Sequence, residues 1–139
     1  EIDLGDTIGA GTPETIGPLF EMIWRAIPSL GPDHAGGVGL TLHLHDTFGA
    51  AARCVERALD MGVRSFDASA GGLGGCPYAS TPTRRAPGNL ATQTLIDVLD
   101  RRGLACGIDR PALAAASALA LEIASDARRA LTGAGGGSS

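Results

Sequence analysis

Asp6-Thr7-Ile8-Gly9-Ala10 returns 40 residues later as Asp46-Thr47-Phe48-Gly49-Ala50. Each copy follows a short apolar run, Ile2 to Leu4 and Val38 to Leu44, and each precedes a helical pattern. A strand, a turn and a helix used twice is the unit from which parallel sheets with helical crossovers are built. After the first copy, Thr12-Pro13-Glu14 supplies an N-cap, a proline at the first helical position and an acidic first turn. Apolar residues then recur at Ile16, Leu19, Phe20, Ile23 and Ile27, predicting a helix that stops near Pro28 and Gly31-Pro32. After the second copy, Ala51, Cys54, Val55, Ala58, Leu59 and Met61 form another stripe, ended by Gly62.

Val63 to Ala68 reads as a third strand, with Asp67 near its end. A glycine-rich loop from Gly71 to Pro77 and a Pro/Arg-rich stretch to Pro87 follow. A helix is expected from about Asn89 or Ala91 to Arg102, and a last one from Pro111 to Leu131, capped by Asp109. The tail, Gly133 to Ser139, has the composition of a flexible linker. The fold class is α/β with parallel strands, and both a doubly wound sheet and a (β/α)8 barrel satisfy it. A complete barrel needs about 250 residues, so these strands amount to about a third of one. The chain opens on Glu1-Ile2-Asp3-Leu4, which reads as the middle of a strand, and it is expected to be part of a longer protein.

The 139 residues carry a net charge of −4, with no block of like charge, which argues against a nucleic-acid surface. All 11 basic residues are arginine, so no Schiff-base lysine exists in this segment. The 3 cysteines, Cys54, Cys76 and Cys106, have no framework spacing, which favours a reducing compartment: cytoplasm, or the mitochondrial matrix in a eukaryote. The longest apolar stretch, Pro111 to Ala124, carries Glu122 and is shorter than the roughly 20 residues a membrane span needs.

His43-Leu44-His45-Asp46 is the first group of residues that could carry chemistry. Side chains alternate along a strand, so His43 and His45 project from one face and Leu44 from the other. Two imidazoles at a strand's end can reach one cation; the plainer reading is a pair of hydrogen-bonded core histidines. Neighbouring strands ending in Asp6 and Asp67 favour the cation. Asp46 and Asp6 each read as a cap of the following helix or as a carboxylate beside a metal site. Asp67 could orient a ligand or pair with an arginine. His34 reads as a solvated loop residue. Gly71-Gly72-Leu73-Gly74-Gly75-Cys76-Pro77-Tyr78 lacks the Lys-Ser/Thr of a phosphate loop. Its Cys76 is either a general acid or nucleophile on a flexible loop, or a surface cysteine on a turn. Cys54 lies on the apolar stripe of its helix and reads as core. Cys106, after the Gly103 turn, has no evident partner.

Four stretches together resemble the 3-hydroxy-3-methylglutaryl-CoA lyase family. They are Leu4-Gly5-Asp6-Thr7-Ile8-Gly9, His43-Leu44-His45-Asp46-Thr47-Phe48-Gly49, Gly72-Leu73-Gly74-Gly75-Cys76-Pro77-Tyr78-Ala79 and Gly88-Asn89-Leu90-Ala91-Thr92. The His-x-His-Asp motif alone is shared with condensing enzymes such as isopropylmalate and homocitrate synthases; the Gly-Gly-Cys-Pro-Tyr loop points to the lyases. The resemblance implies the C-terminal portion of a TIM barrel, about three βα units plus C-terminal helices. On that basis residues 1–107 belong to the catalytic domain, 108–132 form a helical extension and 133–139 the tail.

The resemblance further implies that His43, His45 and Asn89 ligate Mg²⁺ or Mn²⁺, that Cys76 is the catalytic loop cysteine and that Asp6 lies close to the reacting groups. In that family a further Asp ligand and a catalytic Arg come from the first barrel strand, which has no counterpart here. The implied reaction cleaves 3-hydroxy-3-methylglutaryl-CoA to acetyl-CoA and acetoacetate. The full-length protein is expected to be a homo-oligomer that binds an acyl-CoA and no nucleic acid or membrane; this segment alone, lacking the N-terminal part of the barrel, is expected to be inactive. Two departures stand out. Ser80 to Pro87 is longer than the family's link and carries Arg84 and Arg85, which read as solvated or as contacts for CoA phosphates; Gln93 stands where the family usually has Glu. Alternatives are a lyase for another branched 3-hydroxyacyl-CoA, a condensing acyltransferase and a non-catalytic remnant.

Overall fold

The computed structural model describes residues 2–30, 39–75 and 88–133. Three strands, β1 (Ile2–Asp6), β2 (Leu40–Leu44) and β3 (Ser65–Asp67), alternate with helices α1 (Pro13–Ala26) and α2 (Ala51–Asp60). Two further helices, α3 (Thr92–Arg101) and α4 (Arg110–Gly133), complete the chain. The strands form one parallel sheet in the order β1-β2-β3. Its helix-covered, unclosed form resembles part of a barrel.

The alternation of side chains decides what each face of this sheet does. Leu40, Leu42 and Leu44 of β2 face the helices and are buried with Ile16 and Phe20 of α1 and Cys54, Val55, Ala58 and Leu59 of α2. Leu90, Leu95 and Val98 extend this core under α3. The opposite face carries Asp3 and Gly5 of β1, Thr41 and His43 of β2, and Ser65 and Asp67 of β3. Register aligns Asp3 with Thr41 and Thr41 with Ser65, then Gly5 with His43 and His43 with Asp67. Every position on that face is polar or glycine. A buried parallel sheet usually reads as continuous apolar residues, so this one is built with one dry face and one chemical face.

The expected capping of α1 is present: Thr12 is extended (φ −126°) and its N–H donates to Thr15 Oγ1 at 2.9 Å. Asp109 caps α4 by accepting from the Ala112 N–H at 2.9 Å. Some boundaries move. β1 runs on to Asp6, pairing with β2 along its whole length, whereas β3 covers only Ser65–Asp67, the part of Val63 to Ala68 that pairs with β2. α4 runs through Gly133, the residue where the linker-like tail was expected to start. In the α1 stripe, Ile16 and Phe20 are buried, but Leu19 and Ile27 are exposed. Leu19 instead lines a groove of about 190 Å³ between α1 and the helix side of β1. Among the described residues no helix is long and apolar enough to cross a membrane.

Candidate metal centre

The two copies of the repeat fold into the same turn. Asp6 O accepts from Gly9 N–H and Asp46 O from Gly49 N–H, both at 3.2 Å, with Gly9 and Gly49 at φ +72° and +71°. The aspartate side chains then reach forward to the next amides. Asp6 Oδ1 accepts from Ala10 at 3.0 Å and Oδ2 from Gly11 at 2.8 Å; Asp46 Oδ1 accepts from Ala51 at 3.0 Å. Both aspartates therefore hold the strand-to-helix junctions: Asp6 binds turn amides ahead of Thr12, which is the residue that caps α1, and Asp46 binds the amide of Ala51, the first residue of α2. These junctions end β1 and β2 at one level, and the histidines stand there.

His43 and His45 lie side by side, their ring centroids 5.4 Å apart and their planes 61° apart. Leu44 between them is buried in the core. A third segment lies alongside. Leu90 N–H donates to Leu44 O at 2.8 Å and Asp46 N–H to Gly88 O at 3.1 Å, so that Asn89 pairs with His45 as an antiparallel bridge. Asn89 is fixed from its other side by the glycine-rich loop. Its N–H donates to Gly74 O at 2.8 Å and its Nδ2 to Leu73 O at 3.0 Å, leaving Oδ1 out of that contact. The glycines have a steric cause: a β-carbon on Gly88 would stand 1.9 Å from Gly72 O, and one on Gly74 (φ +99°) 2.7 Å from Asn89 Nδ2. The turn before this loop rests on α4, where Gly71 N–H donates to Ser117 Oγ at 3.2 Å.

The HMGL-like family model matches residues 1–120. The chain belongs to the HMGL-like family. Hydroxymethylglutaryl-CoA lyase of Pseudomonas mevalonii is 45% identical over 114 residues, 82% of this chain and 34% of that protein. The crystal structure of HMG-CoA lyase from Brucella melitensis superposes with a TM-score of 0.75 at 36% identity, covering 88% of this chain and 39% of that one. An HMG-CoA lyase from Acinetobacter baumannii, solved in complex with coenzyme A and 3-methylmalate, gives 0.66 at 36% identity, over 84% and 34%. The chain thus spans about a third of the length of the relatives it matches.

The HMGL-like chain places its expected ligands together at the end of β2: two imidazoles on one face and an amide beside them. Two carboxylates, Asp3 and Asp67, stand beside His43. Asp67 Oδ2 lies 3.2 Å from His43 Nδ1. Donor atoms of Asp3, His43 and Asp67 all fall within 4.8 Å of one another. Asp3 carries no motif; only the register of β1 on β2 puts it on the histidine face. This mixture of imidazole nitrogens and hard oxygens fits Mg²⁺ or Mn²⁺. The buried His45 Nδ1, with no hydrogen-bond partner among the described residues, is a further polar atom that a ligand could satisfy.

Other sequence-marked residues fall elsewhere. Cys54 is fully buried and its thiol donates to Gly11 O at 3.4 Å; burial first, then the Asp6 charge, pushes its pKa up to about 11. Gln93 pairs with Asp97 on the exposed side of α3 at 2.9 Å. Cys106 is exposed. Cys76, Arg84, Arg85 and His34 lie outside the described residues.

Proposed function

We propose that this chain is the C-terminal part of a (β/α)8-barrel, divalent-metal-dependent carbon–carbon lyase that cleaves 3-hydroxy-3-methylglutaryl-CoA to acetyl-CoA and acetoacetate. The observation that carries the reading is the side-by-side His43–His45 pair with Asn89 bridged to His45. Its HMGL-like membership and the lyase names of its relatives supply the reaction class.

In this reading His43, His45 and Asn89 hold the cation, with a further carboxylate from the N-terminal part of the barrel. A bound divalent cation supplies Lewis acidity, lowering the pKa of the substrate's tertiary hydroxyl. As that hydroxyl proton passes to a base beside it, for which Asp6 keeps free carboxylate lone pairs, the O–H electron pair forms the C=O of the ketone. The adjacent carbon–carbon bond breaks, and its electron pair goes to the acetyl-CoA enolate. Cys76, the cysteine that the family resemblance implies as catalytic, would then protonate the enolate carbon as general acid through its thiol. Asp6 stands beside the reacting groups; each of its oxygens spends one lone pair on a turn amide and keeps another. Arg84 and Arg85 are assigned to the CoA phosphates by their chemistry, a role suited to guanidinium forks. The relative solved with coenzyme A makes an acyl-CoA the natural substrate class. The complete protein is read as a homo-oligomer.

The test is acetyl-CoA release from 3-hydroxy-3-methylglutaryl-CoA by the full-length protein. Turnover should vanish on chelation and return with Mn²⁺ or Mg²⁺. Turnover that persists in chelator, or none with metal restored, contradicts the reading.

A further inference from the structure

We propose that Asp67 is a positioning residue that fixes the tautomer of His43 and so presents Nε2 as the ligating atom. The inference rests on the metal reading above, but its first observable does not require metal. Asp67 stands directly across from His43 in the β2–β3 register, on the same face of the sheet. Its Oδ2 lies 3.2 Å from Nδ1. A bare nitrogen lone pair facing a carboxylate at that distance is repulsive, so Nδ1 carries the proton and donates it. In the neutral ring the lone pair then belongs to Nε2. A carboxylate behind a ligating imidazole also raises the basicity of the other nitrogen and holds the ring plane.

Among the described residues, the ion pair that Asp67 makes is with His43 and not with an arginine. The arginines that form ion pairs among the described residues do so with Glu56, Asp60, Asp100 and Asp126. Asp3 is a useful comparison. It adds a carboxylate to the same cluster, but its register partner is Thr41, one row away from the His43–Asp67 pair. If Asp67 acted only as nearby negative charge, Asp3 would do the same work.

The experiment uses the full chain, with ¹⁵N-labelled histidine and no metal, at a pH well above the ordinary imidazole pKa. Nitrogen shifts should show His43 as the Nδ1–H tautomer in the wild type. In Asp67→Ala and Asp67→Leu, which leave Nδ1–H without that acceptor, the ring should move to Nε2–H or to a mixture. Mn²⁺ titration followed by the EPR signal of the free ion should then show about 10–100-fold weaker binding in both variants. Asp3→Asn should leave the tautomer unchanged and weaken binding less than about fivefold, the reach of an exposed charge. An Nε2–H tautomer in the wild type overturns the proposal, as does a tautomer unmoved in Asp67→Ala, or equal losses of Mn²⁺ affinity for Asp3→Asn and Asp67→Ala. Unchanged Mn²⁺ affinity in His43→Ala would instead remove the metal reading, while the tautomer shifts still report on Asp67.

Discussion

Gly9, in the first copy of the repeat, meets His45, the residue just before the second, backbone to backbone: a β-carbon on Gly9 would stand 2.8 Å from the His45 carbonyl oxygen and 2.7 Å from Thr47 Oγ1. The first turn therefore buttresses the second at the residue that carries a candidate ligand. Gly49 has nearly the same left-handed φ, yet a β-carbon there would meet nothing within 4 Å. The two glycines separate backbone strain from steric contact. Gly49→Ala should cost about 1 kcal/mol, the strain of a non-glycine residue at positive φ. Gly9→Ala should cost about 2–3 kcal/mol, because carbonyl and hydroxyl must also move. Denaturant melts of the two variants measure the difference; equal costs would show that the contact is not tight.

What the sequence made legible was local. The repeat, the Thr12 cap and the period-two placement of His43 and His45 follow from chemistry within a few residues, and the structure reproduces them. The place of Asn89 did not follow from periodicity; the resemblance supplied it as a ligand. Its position beside His45 depends on Gly88 passing close under Gly72, a contact between segments far apart in sequence. Asp3 was illegible for a similar reason, since only strand register assigns it a face. Asp67 could be seen as a carboxylate at a strand's end, but not whether an arginine or a histidine would meet it. The choice between doubly wound sheet and barrel also lay beyond local pattern, because both use the same βα unit.

Cys54 gives a pH signature. Its thiol is held in the neutral form by burial, with a pKa pushed up to about 11 from an ordinary 9.0. Folding raises this pKa, so the contribution is fully present below pH 9.0 and is lost as pH rises through about 11. Urea melts across that window should show stability falling with pH, and Cys54→Ala should flatten the slope while lowering stability overall through the cavity it leaves. An unchanged slope in Cys54→Ala would assign the fall to other groups.

Cys76 and Cys54 should behave oppositely in the full-length enzyme. Cys76→Ala should lose about 10²–10⁴-fold in turnover, the usual contribution of a general acid, with Mn²⁺ affinity nearly intact. Cys54→Ala removes a core side chain that touches no proposed reacting group, so its loss should appear in thermal stability. Comparable turnover losses in the two variants, at a temperature where both are folded, would show that packing and not proton transfer is being measured.

The most direct measurement is Mn²⁺ titration of the wild-type full-length protein beside His45→Ala. Asn89 is bridged to His45, and His43 shares its face, so one cation should draw on all of them. Removing the imidazole should weaken binding at least about tenfold. Wild-type affinity retained in His45→Ala would contradict a metal centre at the end of β2.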